Sequence, residues 1–288
     1  MNFDEYKKFH NYKRDNCPVC GSEQKKQWAR HEFFTADECQ KCGFVFMNPS
    51  LDEEGLNYYY SNYIGDRFKN TKKMDERLIQ YKIDAEFIER IIDSGSLLDV
   101  GCNGGFFLDA LSTNFNKFGI EIDSDAVSYA KATYDFDIHN CNIGDDPFSE
   151  NTFDIISFRG VIEHMLEPKA ALARASKLLK PGGYIYFCAT PNLKCISAEV
   201  YREKWNLWHP IEHINIFDKD TLLKALGDNF VLTAHEYQYL GTPYENYSKD
   251  HNSLIKDIEL KLQGKWNEVE RSKPFWGNMM SVIFQKKL

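Results

Sequence analysis

Between residues 96 and 192, short apolar runs alternate with segments whose apolar positions recur at helical spacing. The short runs predict buried strands and the periodic segments predict helices. Regular alternation of the two predicts an α/β fold with a doubly wound parallel sheet. The predicted strands are "SLLDVG", "FGIEID", "FDIHNCN", "TFDIISFRG" and "YIYFCATPN", the predicted helices are "GFFLDALST", "SDAVSYAKATY" and "EPKAALARASKLL", and "KPGG" is a predicted turn.

The pattern differs on both sides of this region. Upstream, residues 51–95 contain the aromatic stretch "LNYYYSNYIG", and helical spacing predicts a lead-in helix over 74–92. Downstream, a Trp- and His-rich stretch over 193–217 precedes a helix "DKDTLLKALGD", a strand "FVLTAHEYQ" and a closing strand "NMMSVIFQKK". We therefore expect three parts: a unit of 1–50, a lead-in of 51–95, and a main domain of 96–288 with lid segments 193–217 and 241–276.

Charge and composition narrow the class of partner. The net charge is −8 and no block of Lys or Arg stands out, so a nucleic-acid partner is not expected. No apolar run reaches the length of a membrane-spanning helix, and "MNFDEYKKFH" lacks the apolar core of a signal peptide. We expect a chain with no membrane span and a cytoplasmic location.

Two Cys-x2-Cys pairs lie in the first 50 residues. Cys17 and Cys20 are separated from Cys39 and Cys42 by 18 residues, and a glycine follows each pair. This spacing is typical of a four-cysteine zinc ribbon, in which two tight turns bring four thiolates onto one tetrahedral ion. Four thiolates leave no position for water, so the predicted zinc is structural.

A glycine-rich turn, "DVGCNGG", follows the first predicted strand of the sheet. In doubly wound sheets, ligands bind beyond the carboxyl ends of the strands. The glycine spacing is not that of a nicotinamide site, and no Lys-Ser or Lys-Thr follows as in a P-loop. Asp99 before the turn would repel a phosphate and would suit a cationic ligand. Glu121, at the end of the next predicted strand, is placed to bind both hydroxyls of a ribose.

These features together resemble class I S-adenosylmethionine-dependent methyltransferases. The matching pieces are "LLDVGCNGGFFLDAL", "GIEIDSDAVSYA", "FDIISFRGVIEHMLEP" and "LLKPGGYIYFCATPN". They cover about residues 96–192, and "MMSVIFQKK" suits the closing antiparallel strand of the family. The resemblance implies a doubly wound, seven-stranded Rossmann-like sheet, here with a small N-terminal zinc ribbon. Asn103 stands where the family usually has a glycine, and Asn tolerates left-handed backbone.

The resemblance also implies the cofactor-binding residues. Asp99 and the turn from Gly101 through Asn103 to Gly105 would hold the methionine part of S-adenosylmethionine. Glu121 would hold the ribose, and Ile122 would pack on the adenine. The adenine amine would meet the side chain of Asn142 beside the Ile143 backbone, although Asn142 also suits a plain turn residue. Arg159 would face the cofactor from the end of the fourth strand, with its role open.

The ribbon followed by "YYYSNY" is similar to bacterial methyltransferases that act on sugars, sugar nucleotides and polysaccharide precursors. In some of these, a Glu-His pair after the fifth strand lies at the substrate, and "PIEHINIF" offers Glu212 and His213. We expect His213, oriented by Glu212, to take the proton of a sugar hydroxyl, and we expect a pKa near 6–7 for His213. His164 is a second candidate base. Both pairs could instead brace the structure.

Other functions stay open at this stage. The acceptor could be a quinone-like or natural-product molecule. RNA is a weaker alternative, because the first 50 residues hold eight Lys and Arg against seven Asp and Glu, without a basic stripe. A non-enzymatic binding protein is disfavoured by the combination of Asp99, Gly101 and Glu121. The side chains of Tyr59, Tyr60 and Tyr63 could close over the cofactor, stack on a sugar, or pack in the core.

Overall fold

The computed structural model describes residues 3–63 and 71–288. Its main feature is a seven-stranded sheet in the order β10-β11-β8-β7-β4-β5-β6, which confirms the predicted doubly wound α/β fold. The central strands run parallel, and β11 pairs antiparallel with both β8 and β10. The strands are β4 (Gly95–Val100), β5 (Phe115–Glu121), β6 (Asp137–Asn140), β7 (Phe153–Arg159), β8 (Leu179–Pro191), β10 (Phe230–Glu236) and β11 (Met279–Lys286).

Helices cover both faces of this sheet. Successive residues of a strand point to opposite faces, so neighbouring residues pack against different helices. Leu97 and Ile155 pack in one buried cluster with residues of α2, α3 and α4, whereas Leu98 and Ile156 pack in another with residues of α5 and α7. The central strands β4 and β7 are therefore apolar on both sides, as the sequence pattern indicated. The helices are α2 (Thr71–Glu89), α3 (Phe106–Ala110), α4 (Ser124–Thr133), α5 (Pro168–Leu178) and α7 (Lys219–Leu226).

The predicted turn "KPGG" lies inside β8 rather than before it. The ladder between β7 and β8 nevertheless jumps there, from the pair Phe153–Leu179 to the pair Ile155–Tyr184. Residues 180–183 thus leave the ladder, with Gly182 at a φ of 76°. The turn residues produce an irregularity in a continuous strand.

A second sheet joins the N-terminal unit to the first lid segment. Its order is β1-β2-β3-β9, formed by β1 (Lys25–His31), β2 (Phe34–Cys39), β3 (Val45–Met47) and β9 (Asn215–Ile216). Trp28 and Phe34 share a buried cluster with Trp205 and Trp208 of segment 193–217 and with Leu254 of segment 241–276. The ribbon and the two lid segments therefore form one packed layer beside the main sheet.

Three further helices belong to this layer or its borders: α1 (Glu53–Tyr63), α6 (Ile196–Tyr201) and α8 (Tyr247–Leu262). Within residues 3–63 and 71–288, no helix is both long enough and apolar enough to cross a bilayer.

Candidate active site

The glycine-rich turn connects β4 to α3 and uses left-handed backbone at three positions. Gly101, Asn103 and Gly105 have φ angles of 75°, 50° and 82°. A Cβ atom on Gly101 would lie 2.6 Å from Val161 Cγ2, so this position also requires the smallest side chain. Asn103 adopts the left-handed conformation that its position in the motif indicated. The turn brings backbone amides to the carboxyl end of the sheet.

Glu121 ends β5 beside this turn and is held by three backbone amides. Its Oε2 accepts from the Asn103 amide at 2.9 Å, and its Oε1 accepts from the amides of Ile122 at 2.8 Å and Asp123 at 3.0 Å. The carboxylate is thereby fixed in direction while it still lines the cavity. Ile122 next to it is 59% exposed, so it offers a free apolar surface to a planar ligand.

Asp99 lies deeper, at the end of β4. It is 2% exposed, and its Oδ1 accepts a hydrogen bond of 2.7 Å from Ser157 Oγ. Burial raises the pKa of Asp99 to about 7, against the smaller opposing effect of the Ser157 hydrogen bond. A cationic ligand at this carboxylate would favour its ionised form.

One cavity of about 980 Å³ connects most of the predicted site residues. It is lined by the candidate catalytic residues and by the predicted cofactor residues except Gly105, the N-cap of α3. The lining includes Asp99, Gly101, Asn103, Glu121, Ile122, Asn142, Ile143, Arg159, Glu163, His164, Glu212 and His213. The glycine-rich turn and the Glu-His residues therefore line a common space.

Asn142 uses its side chain to close a turn. Its Oδ1 accepts from the amides of Gly144 at 2.6 Å and Asp145 at 3.2 Å, and its Nδ2 donates to the carboxylate of Asp145. These bonds favour the turn-residue interpretation over adenine recognition by the side chain. Ile143, which is 7% exposed, remains at the cavity wall.

Arg159 is bound to α2, a contact that the sequence did not indicate. Its Nε donates to Asp84 Oδ2 at 2.8 Å, and its guanidinium lies 4.0 Å from the centre of the Tyr81 ring. Asp84 is fully buried and also accepts from Gln80 at 3.1 Å. The ion pair anchors the lead-in helix over the carboxyl end of β7. The only sequence signal was an acidic residue at a helical position surrounded by apolar ones.

The expected pairing of Glu212 with His213 is wrong. His213 Nδ1 lies 2.7 Å from the carbonyl oxygen of Leu207, which can only accept, so Nδ1 carries the proton and Nε2 carries the lone pair. Glu212 instead approaches His209, with 3.9 Å between Oε1 and Nδ1. Burial lowers the pKa of His213 to about 4, below the expected 6–7, because a buried ring resists charging.

Glu163, His164 and His213 form a cluster, although His164 and His213 are 49 positions apart in the sequence. Their ligand atoms lie within 4.8 Å of one another, and the His164 and His213 ring centres are 4.9 Å apart. Glu163 is 1% exposed, and its burial, with Glu212 nearby, raises its pKa to about 8. The sequence contains "EH" twice, but it did not indicate that Glu163 and His164 of the first pair lie beside His213 of the second.

The tyrosines of α1 differ in position. Tyr60 lines the cavity, and its ring centre is 6.2 Å from that of His164. Tyr59 is buried in the cluster shared by the ribbon and the lid segments. The side chain of Tyr63 lies outside the described residues.

The four ribbon cysteines converge in a second, separate place. Sγ of Cys17 is 3.6 Å from that of Cys42, and Sγ of Cys20 is 3.5 Å from that of Cys39. All four sulfurs lie within 4.8 Å of one another. A zinc–sulfur bond of about 2.3 Å places the sulfurs of a tetrahedron about 3.8 Å apart, so the donor set fits zinc.

Sequence comparisons point to one family. A family model described as a methyltransferase domain matches residues 71–230. Phosphoethanolamine N-methyltransferase 3 of Arabidopsis thaliana is 31% identical over 120 residues, covering 38% of this chain and 24% of the relative. The ubiquinone biosynthesis O-methyltransferase of Hydrogenovibrio crunogenus is 29% identical over 111 residues, covering 35% of this chain and 46% of the relative. The chain thus spans a quarter to a half of the length of these curated relatives.

Solved structures share the fold at low identity. A protein described as a methyltransferase, solved in complex with the Haloferax volcanii methyltransferase activator Trm112, superimposes with a TM-score of 0.56 at 14% identity, covering 83% of this chain and all of its own. A Bacillus halodurans protein described as a methyltransferase gives a TM-score of 0.51 at 18% identity, covering 72% and 99%. At these identities the likeness concerns the fold alone.

Proposed function

This chain belongs to the methyltransferase-domain family, and we propose that it transfers a methyl group from S-adenosylmethionine to a hydroxyl of a small molecule, with a sugar or sugar-containing precursor as the leading acceptor. The observation that carries the proposal is the single cavity of about 980 Å³ that joins Asp99 and Glu121 to the Glu163–His164–His213 cluster. One wall suits the donor and the other suits the acceptor.

The donor half is proposed to bind S-adenosylmethionine through four features. Asp99 would balance the positive charge of the methionine part, and the backbone from Gly101 to Gly105 would surround it. Glu121 would accept from the ribose hydroxyls, and Ile122 would cover the adenine. When bound, S-adenosylmethionine supplies a methyl carbon on a sulfonium, and the acceptor oxygen bonds to that carbon while the carbon–sulfur electron pair stays on sulfur.

The acceptor half is proposed to lie at the Glu163–His164–His213 cluster. Loss of the hydroxyl proton is the step that needs help, since a sugar hydroxyl is a poor nucleophile. The Leu207 hydrogen bond leaves the lone pair of His213 on Nε2, and the cluster lies on the cavity wall. Carboxylate and imidazole groups also hydrogen-bond sugar hydroxyls. Placing the acceptor near the methyl donor would provide most of the remaining catalysis.

Two other acceptors deserve a direct comparison, because the names of relatives mention phosphoethanolamine and ubiquinone biosynthesis. An isotope-labelled methyl group should be traced from S-adenosylmethionine into a panel of sugar nucleotides, a catechol, phosphoethanolamine and RNA. Label in a sugar nucleotide supports the proposal. Label in the catechol or phosphoethanolamine alone would overturn the sugar assignment but keep the methyltransferase. Label in RNA alone would overturn the small-molecule proposal.

Glu121→Ala is expected to weaken binding of S-adenosylhomocysteine, the demethylated product, by about 1–3 kcal/mol, the cost of leaving buried ribose hydroxyls unpaired. Calorimetry measures this change. Glu121→Gln, which keeps one acceptor oxygen, should lose less. Because Glu121 also holds the Asn103 amide, a 3′-deoxy analogue of the product is the second control. In each protein, the affinity for the analogue is compared with the affinity for the full product. If removing the 3′-hydroxyl costs as much affinity in Glu121→Ala as in the wild type, Glu121 does not bind the ribose.

Affinity for S-adenosylmethionine is expected to rise with pH through the pKa of Asp99, which is about 7. Below that pH the carboxyl is protonated in the free protein and must lose its proton when the cation binds. Affinity should therefore fall about tenfold from pH 8 to pH 6. Asp99→Asn should bind more weakly and show no such slope. A wild-type affinity that is flat over this range would contradict a charge pairing at Asp99.

We also propose that the ribbon cysteines Cys17, Cys20, Cys39 and Cys42 bind one structural zinc ion. Support comes from the sulfur distances and from the backbone around each pair. The amide of Gly21 donates to the carbonyl of Cys17 at 2.9 Å, and that of Gly43 donates to the carbonyl of Cys39 at 2.8 Å. Two equivalent turns of this type direct their thiolates to one point.

A further inference from the structure

The cluster of Glu163, His164 and His213 has the donor set of a metal site that differs from the ribbon. Two imidazoles and one carboxylate form the triad found at open, reactive centres of divalent first-row metals. All three groups line the main cavity, and their ligand atoms lie within 4.8 Å of one another. Ligands to a single ion at about 2.1 Å are about 3–4 Å apart. Small side-chain rotations would therefore complete the site.

The hydrogen bonding of His213 supports a ligand role. Histidines that bind metals almost always donate their second ring nitrogen to a carbonyl or carboxylate, which fixes the ring and leaves the other nitrogen for the metal. His213 Nδ1 donates to the Leu207 carbonyl at 2.7 Å in this way. Its Nε2 is thus the available donor atom.

The carboxyl group of Glu163 is buried and only partly hydrogen-bonded. The residue is 1% exposed, and its Oε2 has no hydrogen-bond partner among the described residues. In the same part of the chain, its ion-pair partner is His164, at 3.9 Å, and no Lys or Arg lies within pairing distance. Glu212 adds a second carboxylate to this cavity. Ionisation of such a carboxyl is costly unless a positive group compensates the charge, and a bound cation would supply that compensation.

We propose that Glu163, His164 and His213 bind one divalent first-row cation such as Mn²⁺, Fe²⁺, Co²⁺ or Zn²⁺. The three protein ligands leave positions open toward the cavity, where the acceptor oxygen is proposed to lie. A cation there would polarise the acceptor hydroxyl and favour loss of its proton. Because Nε2 of His213 would then bind the cation, the proton would pass to water rather than to that nitrogen. The catalytic meaning of the site depends on the proposed function, whereas the binding of the cation does not.

The test is a calorimetric titration of the full, zinc-loaded chain with Mn²⁺, together with electron paramagnetic resonance of the bound ion. Mn²⁺ prefers oxygen and nitrogen ligands over thiolates, so the ribbon does not compete. One Mn²⁺ should bind per chain, in addition to the ribbon zinc. Glu163→Gln should weaken Mn²⁺ binding at least tenfold. The control is Glu212→Gln, which removes a carboxylate in the same cavity but outside the triad and should change Mn²⁺ affinity by less than threefold.

His213→Asn is the second variant, in case Glu163→Gln fails to fold. Its amide can still donate to Leu207, but it lacks the Nε2 ligand, so Mn²⁺ affinity should fall as in Glu163→Gln. The inference is overturned if no Mn²⁺ binds, or if Glu212→Gln loses as much affinity as Glu163→Gln. Titration with S-adenosylhomocysteine separates the two proposals. Product binding without Mn²⁺ binding overturns the cation site alone, and Mn²⁺ binding without product binding overturns the proposed function alone.

Discussion

Replacing Cys39 and Cys42 together with serine is expected to remove the zinc and to lower acceptor-dependent turnover at least about tenfold, while affinity for S-adenosylhomocysteine stays within about twofold. Loss of two thiolates leaves the coordination shell of the zinc incomplete, and the ribbon loses the folding energy that a structural zinc supplies. Mass spectrometry of the native protein measures the zinc, and calorimetry and a methyl-transfer assay measure the other two quantities.

The loss of turnover follows from the way in which the ribbon holds the lid. Val45 and Phe46 of β3 pair with Ile216 and Asn215 of β9, and the amide of Met47 donates to the Ile214 carbonyl at 2.9 Å. These lid residues follow directly after His213. A loosened β3 therefore releases the backbone that positions the acceptor half of the cavity. The cofactor wall belongs to the main sheet and does not depend on this contact.

Cys195→Ser is the matched control for this experiment. Cys195 is a buried cysteine of the lid whose sulfur accepts from the Ala198 amide at 3.2 Å, and a serine hydroxyl can keep that bond. It should retain both zinc and turnover. Zinc retained in the double variant would disprove the ligand set. Zinc lost with unchanged turnover would show that the ribbon and the acceptor site are independent.

The sequence predicted those parts of the molecule that depend on local patterns. Apolar runs and helical spacing located the strands and helices of the main sheet, because helices cover both faces of its central strands. The turn from Gly101 to Gly105 could be predicted because its backbone conformation requires Gly or Asn at particular positions. Glu121 could be predicted because it follows Gly101 at a characteristic number of residues. The Cys-x2-Cys pairs were visible for the same reason.

Contacts between distant, short or polar segments could not be predicted in this way. β9 has two residues, too few for a strand pattern, and its pairing with β3 depends on packing of the whole layer. The Arg159–Asp84 pair joins residues 75 positions apart. Glu212 and His213 are adjacent in sequence, which suggested a pair, but their side chains take different partners. Burial of His213, which sets its pKa, is a property of the folded layer.

His213→Ala is expected to lower turnover by about 10²–10⁴-fold, the range for losing assistance to proton transfer in the transition state. Product affinity should remain nearly unchanged, because the cofactor is proposed to bind at Gly101 and Glu121 and not at His213. The variant also loses a buried ring and its bond to Leu207, so the free energy of unfolding should fall by roughly 1–3 kcal/mol. Thermal unfolding must therefore accompany the kinetic assay.

The alternative, in which His213 only braces the lid, is separated by two further variants. His213→Asn can restore the bond to Leu207 but has no Nε2, so a bracing role predicts recovery of both stability and turnover. A chemical role predicts recovery of stability without turnover. His209→Ala removes a neighbouring imidazole whose ring centre is 5.1 Å away, outside the cluster, and should cost far less turnover than His213→Ala. If His213→Asn is as active as the wild type, the lone pair on Nε2 has no part in the reaction, and the proton must leave by way of Glu163 or His164.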